Sequence, residues 1–197
     1  MLPVPRVSED HLTARREQIL AAAHACFLKK GLHNSSMQDL IQEAGLSVGA
    51  VYRYFKSKNE IINAIADKVA GGIRHHIDAV ADRRLPLVES IDLVLGELDR
   101  QLEPDGSFPI AMQVWAEATL DPAISEIVRE RYADLRRSVR RLVKHAVENG
   151  ELAADTDVDA VTAALFALLP GYALQRVLTG GPDRRTYLAG LRALIDR

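Results

Sequence analysis

Apolar residues recur three and four positions apart along nearly the whole chain, and no run alternates with the period of two that a half-buried strand requires. That spacing leaves helices packed on helices, an all-α fold. Turn-forming residues divide the pattern into elements. A first helix is expected to start near Ser8-Glu9-Asp10, where a capping hydroxyl and two acids suit the positive end of a helix dipole. Its inward stripe is Ile19, Ala22, Ala23, Cys26 and Phe27, and Lys29-Lys30-Gly31 stops it. Two very short helices follow. Ser36 opens one carrying Met37, Leu40, Ile41 and Ala44, closed by Gly45; Ser47 opens the next, with Val51 and Phe55 inward. Ser57-Lys58-Asn59-Glu60 reads as a capping box heading a long helix that carries Ile62, Ile65, Val69, Ile73, Ile77 and Val80. Gly71-Gly72 is expected to interrupt that helix and to mark a place where it bends cheaply. Beyond Pro86, punctuation spaces five more helices at roughly 86–103, 109–119, 122–149, 157–179 and 183–196. Pro170-Gly171 is expected to interrupt the eighth helix.

The chain has 197 residues, 48% of them hydrophobic and 26% charged, enough for one sizeable core or two smaller ones. The net charge of −2 argues against a uniformly basic nucleic-acid binder. Its distribution is uneven: residues 1–60 carry 8 Lys/Arg against 6 Asp/Glu, whereas residues 61–197 carry 17 against 21. That permits a DNA-binding head on an acidic body. A lone cysteine, Cys26, excludes an intrachain disulfide, and Met1-Leu-Pro-Val-Pro-Arg-Val7 lacks the apolar core of a secretory signal. No stretch reads as a membrane span, so a cytoplasmic location and no membrane partner are expected.

Residues 36–55 carry the function. Two helices of about two turns each cannot stand alone and must rest on the helix before them. Gly45 suits the positive φ of the turn between them, and Ser47 can cap the second helix, leaving Val48, Gly49 and Ala50 on its first turn. This is helix-turn-helix geometry, in which those residues face base edges in the major groove of double-stranded DNA. Being small and apolar, they suit thymine methyls and close backbone approach. Tyr52, Tyr54 and Lys58 have donors for phosphate oxygens, and the helix starts at Ser36 and Ser57 suit phosphates too.

Leu46-Ser-Val-Gly-Ala-Val-Tyr-Arg-Tyr-Phe-Lys-Ser-Lys58 resembles the recognition-helix signature of the TetR family of transcriptional regulators, and Ala22-x4-Phe27-x3-Gly31 and Leu40-Ile41-x2-Ala44-Gly45 match the same family. The resemblance implies base contacts from Gln38, Val48, Gly49 and Ala50, and phosphate contacts from Ser36, Tyr52, Tyr54 and Lys58. It implies a helix-turn-helix domain over 1–56 and a ligand-binding and dimerisation domain over 57–197. It further implies a homodimer through the last two helices and a repressor released from its operator by a small-molecule effector. Ile41 departs from the family's usual alanine, with Gly49 and Ala50 available to make room. Trp115-Ala-Glu117, Asp121-Pro-Ala123 and Gly171-Tyr172-x2-Gln175 resemble the choline-responsive betaine-regulator subgroup more loosely.

Other residues admit two readings. Cys26 lies on the buried stripe and reads as core rather than as a redox sensor. Phe108, Met112 and Trp115 share one helical stripe that is either core or the wall of an effector pocket. His75, Glu117, Phe166 and Tyr172 are further candidate pocket residues, for a small, largely apolar effector or, through Trp115, Tyr172 and Glu117, a quaternary ammonium ion. No two histidines stand three or four apart, so neither a metal nor another cofactor is expected. Without a phosphate-cradling glycine loop, metal-ligand spacing or nucleophile elbow, no enzyme is expected. A helical interaction module that never touches DNA would lack the Tyr52/Tyr54/Lys58 set, which is present.

Overall fold

A computed structural model describes residues 9–103 and 106–195. The described residues form helices α1 (Glu9–Lys30), α2 (Met37–Ala44), α3 (Val48–Tyr54), α4 (Lys58–Asp82), α5 (Leu87–Gln101), α6 (Phe108–Ala118), α7 (Pro122–Glu148), α8 (Val158–Thr179) and α9 (Arg184–Ile195), with no strand. The capping chemistry works largely as the residues dictate. The Ser36 hydroxyl accepts from the Asp39 N–H while the Asp39 carboxylate takes the Ser36 N–H, a complete capping box. The Ser57 hydroxyl likewise accepts from the Glu60 N–H at 3.2 Å, but the Glu60 carboxylate reaches one residue further back, to the Lys56 N–H at 2.7 Å.

The helices gather into two compact units that differ from the 1–56 and 57–197 division. Of the described residues, 9–67 and 109–128 make one; 68–103, 106–108 and 129–195 make the other. In the first, Ile19, Ala23, Cys26 and Phe27 of α1 are buried together with Leu40, Ile41, Val51, Phe55, Ile61 and Ile62, and Ile110, Val114 and Ile124 are buried in the same unit. The Gln18 amide donates to the Ala44 carbonyl at 3.0 Å, satisfying an orphan acceptor at the end of α2. Cys26 is 1% exposed and directs its thiol at the Ser35 hydroxyl, a core residue.

The core of the second unit joins Ile77 and Val80 of α4, Ile91, Val94 and Leu95 of α5, Val139 and Val143 of α7, Leu165, Leu169 and Tyr172 of α8, and Leu188 and Leu191 of α9. The arginines of α7 are paired across helices: Arg140 with Asp159, and Arg141 with both Asp78 and Asp82. On their own helix Arg137 meets Asp134 and Arg131 meets Glu130, while Arg136 lies over the Phe166 ring.

Two interruptions expected from the sequence are absent. α4 runs unbroken through Gly71-Gly72, and α8 through Pro170-Gly171. A glycine pair lowers helix propensity without removing a hydrogen bond, so flanking apolar turns carry α4 across it. Pro170 costs one hydrogen bond, but α8 is fixed on either side by buried Leu165, Phe166, Leu169, Tyr172 and Ala173. A further difference concerns membrane spans. By length and composition α8 is long and apolar enough to cross a bilayer, and 28% of its most apolar window is buried within the chain.

Candidate nucleic-acid interface

The turn between α2 and α3 is built as its residues require. Gly45 sits at φ +63°, in the left-handed region, and donates its N–H to the Gln42 and Ile41 carbonyls. Ser47 caps α3, its hydroxyl accepting from the Ala50 N–H at 3.3 Å. Val51 and Phe55 are buried, which fixes the rotation of α3 and turns its first residues outward. Val48 is 58% exposed and Gly49 is exposed beside it, with Ala50 half-buried. Ile41 is buried without help from Gly49, because a Cβ built at Gly49 would meet nothing within 4 Å. The expectation that Gly49 makes room for Ile41 is therefore wrong.

The phosphate-facing candidates differ from one another. Tyr52 is 38% exposed, while Tyr54 is half-buried. Gln38, Ser36 and Ser47 are exposed. The Ser36 hydroxyl spends its proton on the Asp39 carboxylate at 2.5 Å. A carboxylate at this helix start opposes an approaching phosphate, and Lys30 answers it with an ammonium 2.6 Å from Asp39. The Lys30 hydrogen bond, followed by the Ser36 side chain and backbone, holds the Asp39 carboxyl well below the usual carboxylate range. Lys58 turns back into the chain: its ammonium donates to the carbonyls of Leu32 at 3.0 Å and Ser35 at 3.1 Å. Only its third proton is left for a phosphate.

Sequence reasoning missed the residues that brace this head from far along the chain. The Leu32 N–H donates to the Gln113 side-chain oxygen of α6 at 2.5 Å, the Glu117 carboxylate lies 3.4 Å from the His33 ring, and the Asn59 amide donates to Asp121 at 3.4 Å. No local signal reveals pairings 62 to 84 residues apart.

The effector candidates differ in their surroundings. Met112 and Trp115 are half-buried on α6, and Glu117 on the same helix faces His33. Phe108 is buried. His75 is exposed, while its neighbour His76 engages the Leu93 carbonyl at 3.1 Å. Phe166 is buried and forms a T-shaped pair with Tyr132, with ring centroids 5.1 Å apart. Tyr172 is wholly buried, and its hydroxyl donates to Asp99 at 2.6 Å; burial first, and Asp99 second, push that phenol up to about 12. A ligand meets neither the face nor the hydroxyl of Tyr172 without opening the core. A groove of about 410 Å³ lies between α8 and α9, lined by Leu168, Pro182, Thr186, Tyr187, Gly190, Leu191 and Leu194. Among the described residues no cluster of three His, Cys, Asp or Glu side chains could hold a metal.

Comparisons with known proteins fit this geometry. Residues 19–65 match the profile of the bacterial regulatory proteins of the tetR family, and residues 97–197 match that of the BetI-type transcriptional repressor C-terminal domain. The HTH-type transcriptional repressor Rv1474c of Mycobacterium tuberculosis is 26% identical over 98% of this chain and 97% of its own. Among solved structures, Salmonella enterica GusR superposes with a TM-score of 0.76 at 22% identity, covering 97% of both chains. A SmeT–triclosan complex superposes with a TM-score of 0.75 at 20% identity, over 92% of this chain and 91% of SmeT. Helix-turn-helix, helical body and both matched profiles lead to one conclusion: the chain belongs to the TetR family of DNA-binding transcriptional regulators, and is not an enzyme.

Proposed function

We propose that this regulator is a homodimeric repressor that reads operator DNA with the first turn of α3 and lets go when a small, largely apolar molecule binds its C-terminal part. The observation that carries the reading is Gly49. Glycine costs a helix up to about 1 kcal/mol relative to alanine, and no atom of the chain within 4 Å requires it there. A close approach of DNA to the backbone beside the exposed Val48 supplies a reason for glycine there. Gln38, Val48, Gly49 and Ala50 face base edges; Ser47 orients them through its cap. Tyr52, Tyr54, Ser36 and the third proton of Lys58 hold phosphates. As a chromosome-binding protein it works in the cytoplasm.

The dimer rests on α8. Ala160, Ala164, Ala167, Leu168, Leu174 and Leu178 form an exposed apolar face on a helix mostly uncovered within its own chain, and the α8–α9 groove continues it. A second copy covers both, and its twofold axis sets the two recognition helices about 34–36 Å apart, one turn of DNA, or a little more. For the effector, the stripe Phe108, Met112 and Trp115 on α6 is the wall it meets; the neighbour SmeT, whose complex holds triclosan, supports an apolar ligand. Tyr172, Phe166 and Glu117 are already engaged in contacts of their own, which weighs against a cation cage. The test is a gel shift with the DNA flanking the protein's own gene. A discrete complex on a site with twofold symmetry is expected, and no shift at micromolar protein and low salt overturns the reading.

A further inference from the structure

We propose that Gln113 of α6 is a positioning residue for DNA binding: it latches the α1–α2 turn in the pose from which α2 and α3 dock. This rests on the operator reading above. The turn leaves α1 at Gly31, whose φ of +82° swings the chain off the helix axis. Gly31 still donates to the Phe27 carbonyl at 3.0 Å. Leu32, the next residue, buries its side chain to 2% exposure and sends its N–H to the Gln113 oxygen at 2.5 Å. Its carbonyl, together with that of Ser35, receives the Lys58 ammonium from the first turn of α4. One peptide segment is thus gripped on its donor side by α6 and on its acceptor side by α4. Ser35 adds a third tie by donating its hydroxyl to the Gly31 carbonyl at 2.7 Å. Four residues after Leu32 stands Ser36, the cap of α2. Where Leu32 is held, the start of α2 is held.

The chemistry makes the grip selective. A backbone N–H left without an acceptor in a partly buried turn is costly, so the turn keeps its place only while α6 presents an oxygen there. Gln113 sits between Met112 and Trp115, so the helix that carries the effector candidates also carries the latch. Without it, the docking pose becomes one of several, and apparent affinity for DNA falls in proportion to the pose's lost population. No phosphate contact is removed, so the salt dependence of binding stays as it was.

The experiment compares wild type, Gln113→Met, which keeps length and helix propensity but has no oxygen, and Gln113→Glu, which keeps an acceptor. Amide hydrogen exchange at Leu32 is measured on the full-length protein without DNA. Affinity for the shifted duplex is measured across a salt series. We expect Gln113→Met to lose Leu32 protection and bind about tenfold more weakly with an unchanged slope of log K against log salt, and Gln113→Glu to regain the protection. Unchanged exchange in a folded Gln113→Met protein overturns the latch. Lost protection with unchanged affinity overturns the positioning role, as does a slope that drops by about 0.9, which marks a direct phosphate contact. Wild type that binds no duplex overturns the operator reading, and with it the role, while the exchange result still shows whether Gln113 holds Leu32.

Discussion

Tyr52 and Lys58 stand on opposite sides of a distinction that matters for DNA binding. Tyr52 projects from α3, so Tyr52→Phe should weaken operator and unrelated DNA alike, by about fivefold for one neutral hydrogen bond. Fluorescence anisotropy on both duplexes checks this; Val48→Ala, in contrast, should change which sequence is preferred. Lys58 is tied to the Leu32 and Ser35 carbonyls, so Lys58→Ala should act first on stability. Losing two charge-assisted bonds of about 1.5 kcal/mol or more each should lower Tm by several degrees, and a variant with wild-type Tm refutes the tie. Arg184 offers a third residue-scale case. Its guanidinium sits 3.0 Å from Asp92 and 3.6 Å from Asp99, over Gly96, where an added Cβ would lie 2.7 Å from it. Gly96→Ala should gain up to about 1 kcal/mol of helix propensity while pushing the half-exposed guanidinium aside, so stability changes little. Arg184→Gln should then cost something in wild type and nothing in Gly96→Ala, a coupling that a double-mutant cycle on thermal melts reads directly.

At the scale of elements, α4 carries the clearest prediction. Side chains at Gly71 and Gly72 would meet nothing within 4 Å, so alanine at both should stabilise the helix by about 1 kcal/mol each and raise Tm by several degrees. If bending at the pair carries the effector's signal, the same variant should hold operator equally well with and without a bound effector. Release by the wild-type factor assigns the signal to another element, and Gln113 makes α6 the first to test. Most elements were legible because they rest on short-range chemistry: the Ser36 and Ser47 caps, the left-handed Gly45 and the 3.6-residue stripe of α1 all lie within a few residues of what they control. The same locality made the recognition helix legible. What escaped was non-local. Pro170 looked like a break because its cost is local, whereas the burial that carries α8 through it comes from other helices. Tyr172 reads as a candidate pocket residue from its neighbours in sequence, whereas its hydroxyl bonds Asp99, 73 residues away.

For the whole molecule, the question is which apolar residues face inward and which face a second copy. Periodicity gives α8 an apolar stripe of Val161, Ala164, Leu165 and Leu168 and α9 one of Leu188, Leu191 and Ile195, and the family resemblance implies a dimer through these two helices. The structure divides that set. Leu165, Leu188 and Leu191 are core residues at 5%, 8% and 6% exposure, and Val161 and Ile195 pack against the same core. Ala164 and Leu168 remain exposed, joined by Leu174, Leu178 and Leu194, the last 77% exposed. An Ala164→Glu, Leu194→Glu double variant therefore places two charges on the uncovered face and none in the core. It should fold with a wild-type far-UV spectrum, sediment as a monomer, and lose operator binding, since one recognition helix alone gives up half the contacts. Leu191→Glu should instead fail to fold, because an unpaired carboxylate in the core costs several kcal/mol against a total stability of about 5–15 kcal/mol. The melting temperature of wild type should also rise with protein concentration, as association stabilises only the folded chain. A concentration-independent melt together with a folded wild-type monomer at micromolar concentration would leave the α8 face uncovered, and the dimer through α8 and α9 would have to be abandoned.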